Sequence, residues 1–228
     1  MNIFRILYFF PLIAFLLLGC DSPLMEDGEK VYDGVQQYTG RVFLDRPNDA
    51  DNLLKNGSLE HWTFSMTYDI LDGWYCHNNY NMREEGHIVD HGKKSARLSS
   101  REKGATAIID QCVSLNSSTK IRIRFRYYVE KWKDKGARLY CYFRTAETEA
   151  YTISNDELKD FYDKETLKII RGGGYGMSYL PATEGEWQTF DYVVDVPPKA
   201  THFVFDVRSY FGTTIIVDDC FVTMADDL

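Results

Sequence analysis

The run Ile121-Arg122-Ile123-Arg124-Phe125-Arg126-Tyr127-Tyr128-Val129 constrains the fold most. Successive side chains of a β-strand point to opposite faces. Ile121, Ile123, Phe125, Tyr127 and Val129 therefore line one side, and Arg122, Arg124, Arg126 and Tyr128 the other. That is a strand with one buried and one wet side, the pattern of an antiparallel sheet packed on a core.

The same rhythm recurs from about residue 51 onward. Strands are expected over 52–60, 73–77, 96–100, 105–115, 137–144, 187–196, 202–208 and 214–223. Gly136, Pro197-Pro198 and Gly212 punctuate them. Amphipathic helices do not alternate with these runs, which argues against a parallel α/β sheet. The expectation is an all-β, two-sheet antiparallel β-sandwich of the jelly-roll type, one domain over residues 51–228. One segment departs from it: Ser154-Asn155-Asp156-Glu157 reads as a helix cap and is followed by Leu158, Phe161 and Tyr162, so a short helix or excursion is expected near 154–170.

Residues 1–19 carry one charge, Arg5, ahead of an apolar stretch from Ile6 to Leu18. The stretch is short for a bilayer span and reads as a cleaved signal peptide. It ends Leu17-Leu18-Gly19-Cys20, which resembles a bacterial lipobox and implies lipidation of Cys20. Residues 20–50 then form an acidic tether beginning Asp21-Ser22-Pro23 and including Glu26, Asp27 and Glu29. An acidic run at this place resembles the surface-export signal of outer-membrane lipoproteins in Gram-negative glycan-utilising bacteria. The expected localisation is the outer membrane, lipid-anchored and facing the exterior.

The formal net charge is −8, and loss of residues 1–19 with their single cation, Arg5, makes it −9. A chain this acidic has no electrostatic footprint for nucleic acid. Aromatic residues make up 15% of it, in keeping with β structure. Cys76, Cys112, Cys141 and Cys220 all lie in strand-like runs; they permit two disulfides, in pairings the sequence leaves open, or four buried thiols.

Motifs for chemistry are sparse. Cys76, His77, His87 and His91 include an H-x-x-x-H spacing, but Asp90-His91-Gly92 reads as a turn, and adjacent ligands suit tetrahedral zinc poorly. Arg171-Gly172-Gly173-Gly174-Tyr175-Gly176 lacks the Lys-Ser/Thr ending of a phosphate loop. There is no G-x-S-x-G elbow and no H-E-x-x-H motif, and no catalytic residue is singled out.

Three segments together resemble a known superfamily. They are Asn52-Leu53-Leu54-Lys55-Asn56-Gly57-Ser58-Leu59-Glu60 with Leu71-Asp72-Gly73-Trp74; Gln111-Cys112-Val113-Ser114-Leu115; and Gly185-Glu186-Trp187-Gln188-Thr189-Phe190 with Ile216-Val217-Asp218-Asp219-Cys220. Their order resembles the jelly-roll carbohydrate-binding modules of the galactose-binding-like superfamily. The resemblance implies a non-catalytic module that captures oligo- or polysaccharide, with Trp74 in the core. It also implies a structural calcium at Glu60 and Asp219, with Asn56 and Asp218 as neighbours, since Ca²⁺ takes several hard oxygens.

Sugars stack their C–H faces on aromatic rings while planar polar groups hold the hydroxyls. Such types stand on wet strand positions: Arg124, Arg126 and Tyr128 on one strand, and Tyr140, Tyr142 and Arg144 on another. Arg208 and Asp206 extend the set, and Trp132, Tyr175, Tyr179 and Tyr210 stand in or near loops. The same residues would also serve as core-finishing tyrosines and a solvated arginine face. The alternative function is an accessory lipoprotein that docks on a TonB-dependent outer-membrane transporter or another envelope complex without binding sugar.

Overall fold

The alternating run becomes the centre of the molecule. A computed structural model describes residues 46–226 apart from 78, 172–179 and 182. Before the central strand β7 (Lys120–Lys131) come β1 (Trp62–Phe64), β2 (Asp69–Leu71), β3 (Tyr75–His77), β4 (Met82–Glu85), β5 (Ser95–Ser99) and β6 (Thr106–Ser114). After it come β8 (Ala137–Leu139), β9 (Tyr142–Arg144), β10 (Trp187–Asp195), β11 (His202–Tyr210) and β12 (Thr214–Met224). The first sheet runs β10-β7-β12-β5-β4; the second runs β3-β6-β11-β8, with β9 also pairing β11. All these pairings are antiparallel, and β1 and β2 form a separate hairpin. The all-β sandwich expected from the sequence is the fold observed.

The inner faces meet as the alternation requires. Ile121, Ile123, Phe125, Tyr127 and Val129 are fully buried, as are Phe203, Phe205 and Val207 of β11. Phe125 stacks on Phe190 at 4.9 Å within its sheet and meets Phe205 of the other sheet edge-on at 5.6 Å. Each such buried aromatic contributes about 1.5–3 kcal/mol of transfer free energy. Trp74 is in the core as expected, edge-on to Phe205, with Nε1 donating to the Asn56 carbonyl at 3.1 Å.

Two expectations about strands are corrected. Residues 52–60 form no strand. Asn56 and Leu59 have φ of 51° and 57°, in the left-handed region, which breaks the extended backbone. The segment instead fastens to β12: Leu53 N–H donates to the Val222 carbonyl and Cys220 N–H to the Gly57 carbonyl, both at 2.8 Å. Gly57 fits there because a Cβ would fall 2.3 Å from the Cys220 carbonyl oxygen. The second correction is at 137–144, where regular strand is interrupted at Tyr140 and Cys141. β8 and β9 nevertheless pair with β11 in one continuing register, and Tyr140 N–H still donates to the Asp206 carbonyl at 2.7 Å.

The excursion near 154–170 is two short helices, α1 (Asn155–Phe161) and α2 (Lys164–Arg171). Ser154 and Glu157 form the expected capping box, and Leu158 anchors α1 in the core. Cys76, Cys112, Cys141 and Cys220 are free thiols, the last two buried. The signal segment, Cys20, the tether up to residue 45, and Tyr175 and Tyr179 of the glycine-rich loop lie outside the described residues.

Candidate functional site

The wet positions singled out in the sequence are divided between two outer faces. β7 belongs to the first sheet, β8 and β9 to the second, and the turn after β7 carries the chain across with Asp134 and Gly136 at positive φ. Arg124, Arg126 and Tyr128 therefore do not join Tyr140, Tyr142, Arg144 and Arg208. The expectation of one cluster on adjacent strands fails because parity assigns a face within a strand and leaves open which sheet the strand enters. Trp132 lies on neither face. It packs at the crossover, where a Cβ on Gly136 would fall 1.8 Å from the indole, and its amide donates to Glu184 Oε1 at 2.7 Å.

The outer face of the first sheet is a closed ion-pair ladder. Arg122 holds Asp191 at two points, at 2.7 and 2.6 Å, and Arg124 reaches the same carboxylate at 3.2 Å. Arg126 grips both oxygens of Asp90, at 3.0 and 2.9 Å, and donates to Thr189 Oγ1. Tyr128 leans on Trp187 at 5.8 Å. Arg122 and Arg124 are buried and both are answered by the Asp191 carboxylate, although Arg124 Nε is left without a partner among the described residues, and the ladder fixes β10 and the residue-90 loop to β7.

The outer face of the second sheet is built differently. The register places Tyr75, Asp110 and Asp206 side by side across β3, β6 and β11, with Tyr140 beside Asp206. Arg208 lies opposite Arg138, and Val204 opposite Tyr142, one pleat away on either side. Arg208 binds Asp206 through Nε at 2.8 Å and Nη2 at 2.6 Å, while its guanidinium lies 4.0 Å from the Tyr140 ring centroid. Arg138 lies 4.5 Å from that centroid and 5.1 Å from that of Tyr210. Arg144 lies 5.1 Å from the centre of Tyr142, donates to its hydroxyl at 3.3 Å and to the Glu147 carbonyl at 2.7 Å. Tyr75 is 61% exposed, leaving an aromatic ring at the open margin of this face.

Asp110 differs from the other acids. Its carboxylate has no hydrogen bond or ion pair among the described residues. Burial first, and then the neighbouring Asp206 carboxylate, push its pKa up to about 7, against the pull of Arg144 and Arg208. Sequence reasoning passed over Asp110, Arg138 and Tyr75. The strand parity carried the signal: Ala107, Ile109 and Val113 are inside, which sets Asp110 outside, and Arg138 shares its parity with Tyr140, Tyr142 and Arg144.

The residues expected to hold calcium are engaged with donors. Glu60 Oε1 accepts the N–H groups of Lys93 and Lys94 at 2.8 and 3.0 Å. Asp218 Oδ2 accepts those of Asp90 and His91 at 2.9 and 3.0 Å, and its Oδ1 accepts that of Asp219 at 2.7 Å. Asp219 accepts from Arg46 Nε at 2.7 Å, and Asn56 donates to the carbonyls of His61 and Asp72. Calcium needs converging bare oxygens. As arranged, Glu60 and Asp219 do not fit it; Glu60 and Asp218 hold the two ends of the 90–94 loop. Among the described residues no group of three or more His, Cys, Asp or Glu is placed to hold a metal, the Cys76, His87 and His91 positions included.

No protein-family model matches the chain. No curated protein matches it in sequence. Solved structures match it in fold. The enzymatically active domain of tailspike protein 4 of bacteriophage CBA120 is 11% identical with a TM-score of 0.50, over 77% of this chain and 22% of that one, so this chain spans about a fifth of it. TmCBM61 in complex with β-1,4-galactotriose is 15% identical with a TM-score of 0.47, over 76% and 99% of the two chains. The C-terminal family 22 carbohydrate binding module of Clostridium thermocellum Xyn10B is 10% identical with a TM-score of 0.46, over 79% and 99%. At these identities the likeness is one of fold: an antiparallel β-sandwich.

Proposed function

We propose that the outer face of the second sheet binds carbohydrate, and that the chain acts as a non-catalytic, lipid-anchored module on the outer-membrane surface. The observation that carries this reading is the row Tyr75, Asp110, Asp206, Tyr140, flanked by Tyr142, Arg138 and Arg144. It combines an exposed ring for sugar C–H stacking with an acceptor, Asp110, that has no hydrogen-bond partner among the described residues. The arginines, held over tyrosine rings, supply donors with little further loss of side-chain freedom.

The way the acids of this face are used supports a non-catalytic role. Glycoside hydrolysis needs two working carboxylates. Asp206, the carboxylate opposite Asp110, has both oxygens bound to Arg208. The test is affinity electrophoresis of the purified full chain in detergent against a panel of neutral and acidic polysaccharides. Retardation by a glycan supports the reading, and migration unchanged across the panel, with the protein folded, rejects it.

One observation favours the second reading, docking on a TonB-dependent transporter or another envelope complex. On and beside the β1–β2 hairpin, Phe64 and Met66 are 77% and 96% exposed, and Tyr80 is 68% exposed. Apolar side chains displayed together suit a protein partner. That reading predicts co-purification of a membrane protein, lost on Phe64→Ser with Met66→Ser and insensitive to added glycan.

A further inference from the structure

The cations on the outer face of the second sheet are incompletely answered by acids. Arg208 and Asp206 close on one another at two points. Arg138 has no hydrogen bond and no ion pair among the described residues, and its Nε is buried without a partner. Arg144, 9% exposed, donates to uncharged partners, the Glu147 carbonyl, the Tyr142 hydroxyl and the Cys112 thiol, and its Nε too is buried without a partner among the described residues. The remaining acid of this row, Asp110, holds its proton toward neutrality, because burial and Asp206 push its pKa up to about 7.

A half-buried guanidinium without a counter-charge is incompletely stabilised, and a bound carboxylate supplies the missing charge. Arg138 is also preorganised: the rings of Tyr140 and Tyr210 lie 4.5 and 5.1 Å away and fix its plane. Its buried, unpartnered atom is Nε alone, so the terminal nitrogens are the ones presented outward. That fork matches a planar carboxylate in two parallel hydrogen bonds, a geometry a neutral hydroxyl does not complete.

Resting on the reading of this face as a glycan site, we propose that its ligand is an acidic glycan of the polyuronate class, its carboxylate taken by Arg138 with Arg144 as the second cation. The tyrosines of the face receive the ring of the same sugar, and Asp206 is already neutralised by Arg208, so it does not repel the acid.

The test measures binding of the full chain in detergent to polygalacturonate, to the same polymer fully methyl-esterified, and to dextran sulfate. Polygalacturonate is expected to bind about tenfold more tightly than its ester, as one charge-assisted contact commands. Arg138→Gln weakens binding of polygalacturonate more than that of the ester and so removes the preference. Arg138→Lys, which keeps the charge without the fork, retains part of it and guards against misfolding of the Gln variant. Equal affinity for acid and ester, or a preference that survives Arg138→Gln, overturns the acidic assignment and leaves a neutral-glycan site standing. Tighter binding of dextran sulfate than of polygalacturonate overturns the carboxylate in favour of a sulfate. Failure of these polymers and of neutral polysaccharides alike, with folded protein, rejects the glycan reading itself.

Discussion

Replacing Asp110 by Asn should stabilise the protein at alkaline pH and scarcely at acid pH. In the folded chain the Asp110 carboxyl keeps its proton up to about 7, against 3.8 for an ordinary aspartate. Between those values the folded state binds more protons than the unfolded one, so stability declines as pH rises through the window and is level above it. A shift of about 3 units at about 1.4 kcal/mol each sets a ceiling of about 4 kcal/mol. Asp110 retains partial contact with solvent, which screens the penalty to about 1–2 kcal/mol. Asn has nearly the same shape and cannot ionise. Urea unfolding should therefore show Asp110→Asn more stable than the parent by about 1–2 kcal/mol at about pH 8, the gap shrinking several-fold by about pH 4.5. A variant less stable than the parent at the higher pH, or an equal gap at both, would refute the assignment of a strained, unpartnered carboxylate.

Three further outcomes test the frame. Gly136→Ala puts a Cβ 1.8 Å from the Trp132 indole at a φ of 63°; it should cost about 3 kcal/mol or more, and an unchanged urea midpoint would contradict the packing described at the crossover. Glu60→Ala releases the Lys93 and Lys94 amides and should cost about 1–3 kcal/mol, whereas millimolar calcium should leave the melting temperature unmoved. A rise with calcium, lost in Glu60→Ala, would show that Glu60 and Asp219 turn inward to hold the ion after all. Cys20→Ala should abolish partition of the protein into the detergent phase of a Triton X-114 separation, and persistence there would exclude Cys20 as the anchor.

Much of the fold was legible because strand parity is a local property. The alternation of Ile121 to Val129 placed five side chains in the core and left the arginines outside, and the cap at Ser154 announced α1. The segment at 52–60 misled, since its apolar spacing resembles a strand while Asn56 and Leu59 adopt left-handed backbone that only the contacts with β12 stabilise. The site was legible in kind and not in place. Tyr140, Tyr142, Arg144 and Arg208 do share a face, whereas Arg124 and Arg126 face the other way, tied to Asp191 and Asp90 from elements distant in sequence. Which arginine finds an acid is a tertiary fact, and it separates Arg126 from Arg138.

The central claim, that the second sheet's outer face and not the first's receives glycan, is tested most directly by comparing two variants on one polysaccharide gel series. Tyr142→Ala removes a ring from the proposed face, and Arg126→Ala opens the ion pair with Asp90 on the opposite one. The parent protein and Arg126→Ala should both be retarded by the same glycan class, with Tyr142→Ala migrating as in a gel without polysaccharide. Retardation kept by Tyr142→Ala and lost by Arg126→Ala would place the site on the other sheet and contradict the account.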